Sequence, residues 1–214
     1  MHRQNILVIG LLGLVMLVVL TAGYASGRGP LGLVSYTVSR LSHASNRGVL
    51  PATPVAEEKS PSAPDFATGD WINSEPLRLN DLRGRVVLVD FWTFGCYNCR
   101  NTLPALKSWD ERYREKGLTI VGVHSPEFDD ERRLENLRRE VASLEIRYPV
   151  VTDNDYATWR AYDVAAWPTI FVVDKSGRIR WTHVGEGAYD ATEQVIQKLL
   201  AEDKQASDKA ETKN

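Results

Sequence analysis

The chain has 214 residues, a quarter of them charged, and a formal net charge of −2. That length suits one domain with appendages, and the near balance of charge leaves no strongly basic surface for nucleic acid. Cys96 and Cys99 are the only cysteines, which excludes a scaffold held by several disulfides.

Ile6 to Ala25 carries no charged residue and is about long enough to cross a bilayer core of roughly 30 Å as a helix. Residues 1–25 therefore read as a transmembrane anchor. A cleaved signal peptide is the other reading, because Gly23-Tyr24-Ala25 offers small residues for cleavage. Both put the rest of the chain outside the cytoplasm, in the periplasm or on the extracellular face, where disulfide exchange is normal.

Residues 26–63 are rich in Ser, Gly, Pro and Ala and read as a linker, with a short helix expected over 31–41. The folded domain is expected over 64–202. Residues 68–79 form an extended segment or hairpin broken at Asn73-Ser74, and 81–84 a turn. Residues 85–91 are apolar on both faces, which predicts a central buried strand. A helix follows over 96–116, with Pro104 inside it and Gly117 at its end. Residues 118–123 predict a second buried strand.

Leu134, Leu137, Val141 and Leu144 recur at helical spacing in 131–145, whose Arg and Glu residues read as a solvated face. A strand at 150–151 and a helix at 155–162 come next. A hairpin over 169–174 and 179–184 and a helix over 190–201 close the domain. The charged tail 203–214 is expected to be disordered. Strands alternating with helices predict an α/β sandwich with a mixed sheet.

The chemistry concentrates at Cys96-Tyr97-Asn98-Cys99, just past a strand and at a helix start. A helix N-terminus offers unpaired N–H groups and partial positive charge, and the C-x-x-C setting lowers the first thiol's pKa. Cys96 would attack a partner's disulfide. Cys99, one turn on, would attack back and release the partner. Other readings exist for this pair. A zinc site would need two more ligands, with His124 and His183 as candidates. Haem attachment needs His at position 100, where Arg stands. A purely structural disulfide would close too short a loop to gain much chain entropy.

The chain resembles the thioredoxin superfamily, closest to its membrane-anchored TlpA/DipZ-like branch. The resemblance is carried by residues 89–104, by Gly122 to Phe128, by 148–156, by Trp167-Pro168-Thr169 and by Gly185-Glu186-Gly187. It implies a thioredoxin-like three-layer sandwich and a thiol–disulfide oxidoreductase acting on protein substrates. It also implies a membrane electron donor. The reductant direction is favoured, as in cytochrome c maturation or disulfide repair.

Among single residues, the resemblance makes Asp90 a buried acid that takes a proton from Cys99. Trp92, Trp167, Pro168 and Thr169 become substrate-binding positions, with Pro168 as a cis-proline. Gly122 stands where thioredoxin has a lysine partner for the acid. No cofactor and no metal are expected. Two alternatives stay open. Thr93, three residues before Cys96, fits a thiol peroxidase, and the two thiols with a histidine fit a Cu(I) carrier. His124 and Glu127, at a strand end, are further candidates for the site.

Overall fold

The computed structural model describes the backbone of residues 53–54 and 60–211, with side chains for 60–202. The expected anchor, the helix at 31–41 and most of the linker lie outside the described residues. Among the described residues, no helix is long and apolar enough to cross a membrane.

Among the described residues, seven strands form one sheet: β1 (Thr53–Pro54), β2 (Trp71–Ile72), β3 (Val86–Trp92), β4 (Leu118–His124), β5 (Val150–Thr152), β6 (Thr169–Val173) and β7 (Ile179–Val184). Their spatial order is β1-β7-β6-β3-β4-β5-β2. β3, β4 and β5 run parallel, while the pairs β3–β6, β6–β7, β1–β7 and β2–β5 are antiparallel, so the sheet is mixed as expected. Every residue of β3 is buried. Its unbroken Val/Leu/Phe run suits a central strand covered on both faces.

Among the described residues, four α-helices accompany the sheet: α1 (Tyr97–Tyr113), α2 (Leu134–Ser143), α3 (Ala157–Ala161) and α4 (Tyr189–Glu211). Strand alternation divides the core. Val86, Leu88 and Trp92 face one cluster, with Leu103 and Leu106 of α1, Leu137 and Val141 of α2, and Ile196 and Leu199 of α4. Val87, Val89 and Phe91 face the other, with Leu79, Leu82, Tyr162 and Val164. The three layers of the expected sandwich are therefore unequal. One face carries three helices, and the other carries α3 and the stretch before β3.

Three boundaries differ from the sequence reading. The expected linker reaches into the sheet: Thr53 and Pro54 pair with Thr182 and Trp181, and Ser62 bridges Arg178. Proline is tolerated there because β1 is an edge strand. The helix expected from 131 begins at Leu134, and Glu131 lies in a preceding 3-10 turn, Asp129–Arg132. The last helix continues to Glu211, so most of the tail expected to be disordered is helical. Its Ala, Glu, Lys and Gln residues favour helix, and no Gly or Pro interrupts them.

Candidate active site

β3 ends at Trp92, and four residues lead to α1. Cys96 is the N-cap of α1, with extended backbone (φ −75°, ψ 118°). A Cys96–Cys99 disulfide is present, with Cα atoms 5.3 Å apart. The Cys99 N–H donates to Cys96 Sγ at 3.1 Å, and the Cys96 N–H donates to the Thr93 carbonyl at 3.3 Å. The first bond is the capping interaction a serine oxygen usually makes, here made by sulfur. It aims a helix-terminal N–H at the atom that would carry charge after reduction.

The two sulfurs differ in access. Cys96 is half-buried, whereas Cys99 is 2% exposed and belongs to the main core cluster. A partner can therefore reach Cys96 and not Cys99. The surface beside Cys96 is aromatic. Tyr97 is 76% exposed and Phe128 58% exposed, the two large exposed hydrophobics among the described residues. A cleft of about 340 Å³ lies there, lined by Phe94, Gly95, Tyr97, Arg100 and Glu140. Arg100 donates to the Phe94 carbonyl at 2.9 Å and pairs with Glu140 at 2.8 Å. A larger cleft of about 480 Å³ is lined by residues of the other end of α1, such as Asp110 and Glu111, and includes neither cysteine.

Asp90 sits in β3 between Leu88 and Trp92, so alternation turns it to the face that holds Cys99. It is 1% exposed, and its Oδ1 has no hydrogen-bond partner among the described residues. Burial raises its pKa from 3.8 to about 7, because desolvation disfavours the charged form. A carboxyl with that pKa exchanges protons readily near neutrality.

Gly122 pairs in register with Asp90 on β4. A Cβ at Gly122 would stand 2.9 Å from Trp92 Nε1 and 3.4 Å from Tyr148 Cε2. The Trp92 indole thus occupies the space a lysine would need, which explains the departure noted there. Trp92 Nε1 and the Tyr148 hydroxyl are likewise buried without partners among the described residues. Burial, and then the Asp90 charge, push the Tyr148 hydroxyl well above its usual range.

The expected substrate-binding set needs correction. Trp92 is fully buried, and its ring packs edge-on to His124 at 5.4 Å. It supports the site from behind and offers no surface. Thr169 is 1% exposed, and its hydroxyl donates to the Ala166 carbonyl at 2.7 Å. Pro168 follows a cis peptide bond, as expected, and is buried. Trp167 is half-buried, rests on the cluster that holds Cys99, and packs on Trp159 at 4.5 Å.

His124 lies at the end of β4 and is fully buried. Its Nε2 is 3.3 Å from the Thr93 hydroxyl, and its ring stacks on Phe94 at 5.4 Å. Burial lowers its pKa to about 4, against a smaller opposing pull from Glu131. It is therefore neutral near pH 7. Among the described residues, no group of three or more His, Cys, Asp or Glu side chains is placed to hold a metal ion.

Glu131 is the residue that sequence reading missed. It is 2% exposed and accepts N–H bonds from Gly95 (2.9 Å), Glu127 (2.5 Å) and Phe128 (3.0 Å). A glutamate reaching back three residues to an N-cap N–H is half of a capping box. That spacing from Phe128 was the one available signal, and it lies hidden in a run of charges.

Comparison with known proteins agrees with this geometry. Residues 60–182 match the AhpC/TSA family. The chain is 40% identical over 148 residues to Protein DipZ of Mycobacterium bovis, covering 67% of this chain and 21% of that protein. It thus spans about a fifth of the length of that relative. It is 26% identical to the thiol-disulfide oxidoreductase YkuV of Bacillus subtilis over 62% of this chain and 88% of that one. A structure from Chlorobium tepidum named for a thiol:disulfide interchange protein DsbE superposes with a TM-score of 0.59 at 30% identity. It covers 66% of this chain and 96% of its own. With its mixed sheet, its dithiol at the head of α1 and these relatives, the chain belongs to the AhpC/TSA family, in the thioredoxin-like, DipZ-like part of it.

Proposed function

We propose that this domain is a thiol–disulfide oxidoreductase for protein substrates. The observation that carries the reading is the unequal dithiol, with accessible Cys96 at the helix cap and Cys99 buried behind it. In the reductive direction, Cys96 thiolate attacks a substrate disulfide and displaces one substrate thiolate. Cys99 then loses its proton to Asp90, attacks Cys96 in the mixed disulfide, and frees the second substrate sulfur as a thiolate. Two electrons pass to the substrate, and the domain is left as the disulfide.

The domain works outside the cytoplasm, tethered through residues 1–25, and receives electrons from a membrane-embedded donor. The uncharged stretch Ile6 to Ala25 supports the tether. The resemblance to membrane-anchored reductants supports the direction, with cytochrome c maturation or disulfide repair as the setting. The peroxidase reading has less support, because the buried Thr93 hydroxyl is engaged by His124. The copper reading lacks a third ligand placed with the two sulfurs among the described residues.

The test is insulin-disulfide reduction together with equilibration in glutathione or dithiothreitol buffers. Insulin reduction and a potential near about −270 mV fit a reductant. A potential near about −120 mV makes the domain a disulfide donor. Absence of any exchange, with peroxide consumed instead, overturns the reading.

A further inference from the structure

We propose that Glu131 is a positioning residue for the dithiol, a buried carboxylate that holds the loop before Cys96 and opposes charge on its sulfur. This deepens the proposed function and rests on it. Glu131 Oε1 accepts the Gly95 N–H at 2.9 Å, one residue before Cys96. Its Oε2 accepts the N–H groups of Glu127 and Phe128, from the loop after β4. One side chain, 36 residues after Gly95, therefore ties the loop before Cys96 to the loop after β4. The fit is close, since a Cβ on Gly95 would overlap Oε1.

Two effects act on Cys96 in the same sense. Each backbone N–H is a single donor. The Gly95 N–H, given to Glu131, is withheld from a thiolate on the next residue. The carboxylate is itself 2% exposed, so its negative charge is less screened than that of a surface residue. Its reach is visible at His124, where it partly offsets the larger effect of burial. The helix N-terminus works in the opposite direction and favours thiolate. Destabilising the thiolate weakens the reduced form, and a less stable reduced form is a stronger reductant. Glu131 thus biases the pair towards reduction of its partners.

Other charged or titratable groups face this end of the domain. Arg100 and Glu140 pair across α1 and α2. His124 of β4 and Asp90 of β3 lie buried on the neighbouring strands. Glu131→Gln leaves all four in place.

The experiment uses the full chain, reduced, with the Cys96 thiol titrated by thiolate absorbance and the dithiol equilibrated with glutathione. Glu131→Gln is expected to lower the Cys96 pKa by about half a unit or more, and to shift the equilibrium about threefold towards the reduced protein. Unchanged values in a variant that keeps the wild-type unfolding midpoint overturn the proposal. Should the variant not fold, the wild type decides. Coupling is reciprocal, so the Glu131 carboxyl carbon resonance should move as Cys96 ionises. A resonance that stays still overturns it. Failure of the wild type to exchange with glutathione would instead remove the parent reading.

Discussion

Replacing Asp90 with Asn should change how stability depends on pH. Asp90 is buried in β3, and its pKa rises from 3.8 to about 7 through desolvation. Below pH 3.8 the carboxyl is protonated in both the folded and unfolded chain, so it carries no cost. Between 3.8 and about 7 the unfolded chain loses the proton while the folded chain keeps it. Stability then falls with rising pH, by about 1.4 kcal/mol per unit. Above about 7 the cost levels off at about 4 kcal/mol.

Between pH 5 and pH 8 the wild type should lose about 2.5 kcal/mol that Asp90→Asn does not lose. The assay is urea unfolding of both proteins at the two pH values, with the disulfide intact so that neither cysteine titrates. The comparison of differences removes any constant cost of burying the amide. Equal pH dependence in the two proteins would refute the argument that burial makes Asp90 keep its proton up to about pH 7. The same variant tests chemistry. Its exchange rate should lose the pH step near 7, because the group that takes the Cys99 proton is gone.

Three further outcomes are expected. Cys96→Ser should abolish exchange, while Cys99→Ser should accumulate mixed disulfides on Cys96, seen as higher-mass species on non-reducing gels. Gly122→Ala should cost about 1–3 kcal/mol in urea unfolding, since its Cβ would crowd Trp92 Nε1 at 2.9 Å. An unchanged midpoint would mean that Trp92 moves freely. The His124 ring protons should titrate near pH 4 by NMR. A midpoint close to 6.5 would show that the ring is not shielded from water.

The sequence by itself determined the order of elements, the central strands and the reactive pair. Those signals are local. An unbroken apolar run marks a covered strand, a C-x-x-C at a strand-to-helix junction marks a dithiol, and apolar residues at helical spacing mark α2. The buried acid at Asp90 was implied only by the family resemblance, and the structure places it on the Cys99 side of β3. Tertiary structure decided what depends on residues far apart in the chain. It enclosed Trp92 and Thr169, which removed them from the substrate surface. It filled the space over Gly122 with an indole. It brought Thr53 and Pro54 onto the sheet edge. It chose Glu131 from a run of similar charges by folding the loop after β4 against Gly95. A charged residue on its own does not reveal whether it meets water or three backbone N–H groups. That is fixed only when segments dozens of residues apart close around it.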